Sequence, residues 1–358
     1  MRIISKATTS IFIFLIAALT ACEAKESSDP TRSAVPLPYP VMDSGAWADW
    51  NSYTPTIYWI DNNRVIFKTV KDNDKSRVSS GPFNLSIWDI TTNKVTPYTP
   101  HVNSLNICYS EGYIYYSLAD EPFHVQKKNW RHFAGEFGKE KPYAPPIGKN
   151  VIYNELSCRF QESSELVEKR KTRRIRPLLG RHGYLDRGAI REKPGVKEPV
   201  ILYRTSHSKG IELPIHGRDA IIIRHYPFKD AYFIQNLNTG GIPNKKKQFW
   251  WLFPDGKVEE GLHPVEFYLY PTRQGIVTDW GGTKSAKDPG TVGLYLWSGK
   301  EPVKIIAGYA EGGVATSPDG CKLAFANFLY SDATKIKDPG RITLKAINVC
   351  VEEKNHGQ

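Results

Sequence analysis

The sequence predicts an all-β protein, and three observations lead there. Short runs of β-branched and aromatic residues, each closed by Asn, Asp, Gly or Pro, recur from about Trp47 onward. No stretch sustains a helical period over three turns. The 358-residue chain is 40% hydrophobic and 12% aromatic, so it has the apolar side chains to bury a core of that kind. The same figures exclude a disordered chain, and five cysteines are too few to staple a chain this long as a disulfide miniprotein. At roughly 100 to 200 residues per domain, the length admits two domains or one large all-β domain.

The chain opens with a basic stretch, Met1 to Lys6, followed by the apolar run Ile11 to Leu19. This is a secretory signal pattern, too short to be read first as a membrane span. The run ends in Leu19-Thr20-Ala21-Cys22, which resembles the lipobox of bacterial lipoproteins. That resemblance implies removal of residues 1–21 and a diacylglycerol on the sulfur of Cys22, which becomes the mature N-terminus. Two or three acyl chains, at about 0.8 kcal/mol per buried methylene, hold a stable anchor where one does not. The alternative is an ordinary cleaved signal with an incidental Cys. In the family pattern an Asp after the Cys favours inner-membrane retention; Glu23 stands there instead, which points to the periplasmic face of the outer membrane. Residues 22–45, rich in Ser, Pro, Lys and Asp, are expected to form a flexible tether.

The first strands expected are Ile57 to Ile60 and Arg64 to Val70, joined by Asp61-Asn62-Asn63. Leu85 to Ile90 and Lys94 to Tyr98 flank Thr91-Thr92-Asn93 in the same way. The pattern then recurs loosely. Gly112 to Tyr116, Ala220 to Ile223, Gly275 to Thr278 and Lys322 to Phe325 read as the second strand of a unit or its neighbour. Val200 to Tyr203, Phe249 to Phe253 and Leu294 to Trp297 read as its outer hairpin. A four-stranded unit repeating every forty to fifty residues or so is the mark of a β-propeller, because each blade buries its faces only against its neighbours. Residues 46–353 then allow six or seven blades, with six favoured; a pair of β-sandwiches is the structural alternative. A segment around Ala46 to Tyr53 is expected to supply the outer strand that closes the ring, and residues 354–358 form a tail.

Ser317-Pro318-Asp319-Gly320, followed by Lys322-Leu323-Ala324-Phe325, resembles the signature of TolB-type propeller repeats. Leu85 to Lys94 is similar to the outer hairpin of the same repeats. The resemblance implies a propeller whose loop surfaces bind envelope partners, although TolB-type proteins are not generally lipid-anchored.

Four cysteines follow Cys22, and in an oxidising periplasm they can pair. The propeller reading places Cys321 opposite Cys350 on neighbouring strands. Cys108 and Cys158 fall in similar settings, as if on equivalent strands of adjacent blades. Buried free thiols are the alternative for both pairs.

The formal net charge is +11, and removal of residues 1–21 takes Arg2 and Lys6 and no acid. Six cations crowd the eight residues from Lys169 to Arg176: Lys169, Arg170, Lys171, Arg173, Arg174 and Arg176. From Leu166 to Glu198 there are eleven basic residues against four acids, so a basic surface loop inserted at about 162–198 carries most of the excess. Its expected partner is an anionic glycan, a lipid head group or an acidic envelope protein. A solvated loop with no partner is the alternative, and nucleic acid is not expected in the periplasm.

The nine histidines show no His-x-x-x-His or His-Glu-x-x-His spacing, and there is no Cys-x-x-Cys, so no metal site is predicted. A Gly-x-Ser-x-Gly elbow and a phosphate-cradling loop are also missing, and no cofactor is predicted. Trp250-Trp251 and Asp279 to Gly282 are candidates to face sugars or peptides, against the commoner role of filling blade cores. The sequence therefore favours a lipid-anchored binding or scaffold module. The alternative is a carbohydrate-active enzyme, a hydrolase or lyase on an anionic glycan, with Asp, Glu, His or Tyr residues converging at the channel mouth.

Overall fold

The computed structural model describes residues 39–48, 57–70, 83–119, 130–146, 151–179, 182–191, 198–205, 208–216, 221–236, 247–263, 268–280, 293–299, 302–328 and 342–350. They belong to one compact unit, Tyr39–Gln358. Cys22 lies outside them.

The chain forms a six-bladed propeller of four-stranded antiparallel blades. Blade 1 consists of β2 (Ile57–Trp59), β3 (Arg64–Val70), β4 (Phe83–Asp89) and the first half of β5 (Lys94–Ser110). The 17-residue β5 then turns inward, and its second half starts blade 2, which β6 (Tyr113–Ala119), β7 (Trp130–Glu136) and β8 (Lys141–Pro142) complete. Blade 3 is β11 (Arg173–Pro177), β12 (Tyr184–Ala189), β13 (Pro199–Tyr203) and β14 (Ile211–His216). Blade 4 is β15 (Ile221–Tyr226), β16 (Ala231–Asn236), β17 (Lys247–Leu252) and β18 (Val258–His263). Blade 5 is β19 (Leu269–Thr272), β20 (Gly275–Trp280), β21 (Gly293–Trp297) and β22 (Val303–Ala307).

Blade 6 takes three strands from the C-terminal side, β23 (Tyr309–Thr316), β24 (Lys322–Phe328) and β25 (Thr343–Asn348). Its outer strand is β1 (Val41–Trp47), paired antiparallel with β25 from Val41↔Ile347 to Trp47↔Thr343. The closing strand thus lies earlier than the expected 46–53, and residues 41–45 pair in the sheet instead of belonging to the tether. Val41-Met42-Asp43-Ser44-Gly45-Ala46-Trp47 alternates exposed and half-buried positions along its first five residues. That weak period escapes notice in a segment rich in Pro and Ser.

The first strands surround the axis, since side chains from them bond across blades. Trp59 Nε1 donates to Ala315 O (2.9 Å), Tyr58 Oη to Ile107 O (2.9 Å) and Tyr109 Oη to Ile60 O (3.1 Å). The cores lie between blades. Trp59, Val65, Phe67 and Trp88 of blade 1 pack on Ala324, Ala326, Leu344 and Ala346 of blade 6. Similar clusters join blades 1 and 2, 3 and 4, 4 and 5, and 5 and 6.

Between blades 2 and 3 the chain inserts a wedge: the hairpin β9 (Val151–Asn154) and β10 (Arg159–Glu162), then helix α1 (Ser164–Thr172). Tyr153 and Phe160 pack 4.9 Å apart and each lies 5.7 Å from Tyr115 of blade 2. Leu156 packs against the core shared by blades 3 and 4. The buried Asn154 donates Nδ2 to Leu178 O (2.8 Å) and accepts from Leu156 N (3.0 Å).

The basic insertion at 162–198 is therefore not a surface loop. Ser163 caps α1 by accepting from Leu166 N (3.2 Å), Glu165 sits in its first turn, and Lys169, Arg170 and Lys171 sit in its last, each favoured there by the helix dipole. Arg173-Arg174-Ile175-Arg176-Pro177 then enters blade 3 with Ile175 and Pro177 buried.

Cys321 and Cys350 are bonded, their Cα atoms 5.0 Å apart, and tie the start of β24 to the end of β25. Cys108 and Cys158 are also bonded, with Cα atoms 5.5 Å apart. Cys158 is not on a blade strand as expected but in the β9–β10 turn, in left-handed backbone at φ 60°. This bridge fastens the wedge to the inner strand of blade 2.

The Cys321–Cys350 bridge closes 29 residues, for which loop-closure entropy gives about 3 to 4 kcal/mol. Replacing both cysteines by Ser is expected to lower the unfolding free energy by about that amount in urea titrations. Unchanged stability would mean that strand pairing alone keeps blade 6 in register.

Candidate functional site

The first strands carry polar side chains toward the axis, and these form the candidate site. Arg224, on β15 of blade 4, donates to Val314 O of blade 6 (3.4 Å), and its guanidinium carbon lies 5.5 Å from the centre of the Tyr270 ring of blade 5. Tyr226 and Tyr58 of blade 1 complete its surroundings. Among the described residues no carboxylate lies within ion-pair reach of Arg224. Burial works against its charge, but the hydroxyls of Tyr226, Tyr270 and Tyr58 more than offset this and hold the guanidinium above its usual range. Arg224 and Tyr58 are enclosed by several blades yet remain in contact with solvent. The arrangement offers a cation and phenols to a group entering along the axis.

Beside it, Arg176 on β11 pairs with Glu155 of the wedge (2.8 Å). Arg170 at the end of α1 donates Nε to Ile175 O (3.3 Å) and shares the field of Glu155. Burial pushes the phenol of Tyr58 up to about 12, against the pull of Arg224 and with a smaller push from Glu155. Two guanidinium groups, Arg170 and Arg176, thus share the field of Glu155, which also acts on Tyr58.

The six cations expected to act together are divided by the fold. Lys169 pairs with Glu165 (2.7 Å) and donates to Tyr184 Oη (2.5 Å). Lys171 pairs with Glu168 (2.5 Å). Arg173 forms a short ion pair with Asp186 and a second with Glu198 (3.0 Å). Arg174 donates to Ile190 O (3.4 Å). Only Arg170 and Arg176 share the field of Glu155, the carboxylate that also acts on Tyr58. The acids that pair with Lys169, Lys171 and Arg173 lie within the same segment, so these cations are answered locally although basic residues still outnumber acids there.

Arg224 carried no signal in the sequence, standing alone in Ile221-Ile222-Ile223-Arg224-His225-Tyr226. A charged residue in an otherwise apolar strand was the available clue. Trp250 fills the core between blades 3 and 4 and Trp251 that between blades 4 and 5, where it also borders a surface pocket; Gly281 and Gly282 lie outside the described residues. Among the described residues no His, Cys, Asp or Glu cluster could hold a metal ion. Nor, among them, is any helix long and apolar enough to cross a membrane.

The raised phenol of Tyr58 has a definite sign. Its contribution to stability is whole below pH 10, the unfolded value, and is lost as pH rises to about 12. A two-unit shift corresponds to about 2 to 3 kcal/mol at most. Tyr58→Phe is expected to be less sensitive than the native chain between these values by up to that amount, in denaturant titrations at a series of alkaline pH values. Equal pH dependence would place Tyr58 in water.

No protein-family model matches the chain, and no curated protein matches it. Solved structures resemble it in fold. TolB from Acinetobacter baumannii is 9% identical with a TM-score of 0.36, the match covering 80% of this chain and 64% of TolB. The β-propeller domain of the Trilobed protease from Pyrococcus furiosus is 17% identical with a TM-score of 0.31, covering 77% of this chain and 79% of the domain. The acylaminoacyl peptidase of Pyrococcus horikoshii is 13% identical with a TM-score of 0.32, covering 79% of this chain but only 44% of the peptidase.

Proposed function

We propose that the chain is a bacterial envelope protein, anchored through lipid on Cys22 at the periplasmic face of the outer membrane, that acts as a binding or scaffold module. It receives an acidic segment of an envelope protein at the axis of its propeller. The observation that carries this reading is Arg224: a guanidinium enclosed by four blades, ringed by phenols and given no countercharge among the described residues. A carboxylate is the complement of such a group. The lipobox supports the anchor.

Two measurements test this. Arg224→Met is expected to fold with stability equal to the native protein or greater by about 1 to 4 kcal/mol, because an uncompensated charge is removed. It is expected to lose calorimetric binding of a short Glu-rich peptide, which Arg224→Lys retains in part. A destabilised Arg224→Met with undiminished binding would make the residue a structural hub and end the axial reading. For the anchor, Cys22→Ser is expected to abolish palmitate incorporation and move the chain from the membrane fraction to the soluble fraction; unchanged partition would exclude it.

A second reading, an enzyme on an anionic glycan, is favoured by one cluster at the end of the axis where the short turns lie. His182 Nδ1 and Tyr232 Oη are 2.7 Å apart, and the His182 and His225 rings lie 6.3 Å apart. His225 Nε2 is 3.4 Å from Asp230, and Glu111 acts on both His225 and Tyr232. Burial keeps His225 below its ordinary pKa, so near neutrality it is an unprotonated base. New reducing ends or unsaturated products from polyuronides, lost in His225→Ala, would establish this reading; their absence would remove it.

A further inference from the structure

A second site lies away from the axis. At the junction of blades 4 and 5, on the face of the short turns, a pocket of about 650 Å³ opens between Phe228, Lys229 and Trp251 on one side and Arg273, Gln274 and Trp297 on the other. Its walls are set by tight packing. Gly275 holds φ at +146°, and a Cβ there would come within 2.2 Å of Trp297 O. Gly320, in the Ser-Pro-Asp-Gly turn of blade 6, lies so close that a Cβ would meet Phe228 at 2.7 Å and Arg273 Cγ at 3.0 Å.

The charges in the pocket are oriented and only partly neutralised. Arg273 donates Nε to the carbonyl of Asp319 (2.5 Å) and its backbone N–H to Gly320 O (2.9 Å). Both acceptors are neutral, so they fix the guanidinium while leaving its charge and its terminal nitrogens unanswered among the described residues. Lys229 shares Glu259 with Lys257, at 3.1 and 2.9 Å, so two ammonium groups divide one carboxylate. Lys229 also lies 4.7 Å over the ring of Trp251. The half-buried Trp297 is held edgewise by His263, ring centres 4.8 Å apart.

We propose that this pocket binds an acidic sugar, a hexose bearing a carboxylate or phosphate, with its ring against Trp297 and its acid on Arg273 and Lys229. The C–H bonds on one face of a pyranose carry slight positive charge and suit the negative face of an indole. The side chain of Gln274 and the turn at Ser298-Gly299 offer hydrogen bonds to its hydroxyls. An acidic peptide would use the cations but not the flat aromatic wall. The site is independent of Arg224, so its fate and that of the axial reading separate by mutation.

The test uses the folded chain with ¹⁵N-labelled tryptophan, the Trp297 indole signal being assigned by Trp297→Phe, which keeps the packing on His263. Trigalacturonate and glucose 6-phosphate are expected to shift that signal saturably. Arg273→Gln is expected to weaken both by about tenfold to a hundredfold, the loss of a charge-assisted contact, with glucose little affected. Arg224→Met is expected to leave binding intact. An unmoved Trp297 signal with both acidic sugars would overturn the proposal. So would inorganic phosphate binding as tightly as glucose 6-phosphate, or equal losses for charged and neutral sugars in Arg273→Gln.

Discussion

The pairing of β1 with β25 joins the N-terminal side of the propeller to its C-terminal strands, and the other blades depend on it. A blade buries its two faces only against its neighbours, so an open ring leaves two apolar faces in water and the outer edge of β25 unpaired. The core between blades 1 and 6 is held shut from several sides. Thr343 Oγ1 donates to Asp43 (3.0 Å), Ala48 N donates to Ile342 O (3.0 Å), and Ala48 itself is buried in that core. The Ser-Pro-Asp-Gly turn completes the closure. Asp319 Oδ1 accepts from Cys321 N (3.0 Å) within the turn, while Asp319 N donates to Asn62 Oδ1 (3.0 Å) and Lys322 Nζ to Asn62 O (2.8 Å) in blade 1. The same turn takes Arg273 from blade 5, so one short motif locks three blades.

The propeller was legible because its strands alternate and its turns are tight. Leu294-Tyr295-Leu296-Trp297 and Phe249 to Phe253 read as outer hairpins and are third strands of their blades. What stayed hidden was structure whose polar groups answer one another. Arg173 to Arg176 resembled a solvated charge run because pairing with Asp186, Glu198 and Glu155 becomes visible only when β11, β12 and the wedge are brought together. The wedge was hidden for a related reason. Its hairpin has only four residues per strand, and its aromatic partners, Tyr113, Tyr115 and Tyr143, lie on another unit of the repeat.

Relocating these charges changes what the net charge of +11 means. Lys169, Lys171, Arg173 and Arg176 of the densest run are ion-paired, whereas the excess of eleven basic residues over four acids from 166 to 198 remains. Both the His182–His225 cluster and the acidic-sugar pocket belong to the face of compact turns, where positions are fixed by hydrogen bonds between blades.

Whether Arg224 serves the fold or a ligand follows from magnitudes. Enclosing a guanidinium without a carboxylate costs several kcal/mol after relaxation. The contacts the fold provides are modest. At 3.4 Å, the bond to Val314 O is at the long end of N–H···O distances and contributes at most about 1 kcal/mol. A ring centre at 5.5 Å adds about 1 to 2 kcal/mol as a cation–π contact. Together with the Tyr226 hydroxyl these keep the guanidinium charged, but none supplies a countercharge, and a Met of similar length would fill the space without enclosing a charge. A residue of this kind is favoured by what binds it. Among the described residues countercharge is the missing element, and the continued contact of Arg224 and Tyr58 with solvent leaves the site open to the anionic partner proposed above.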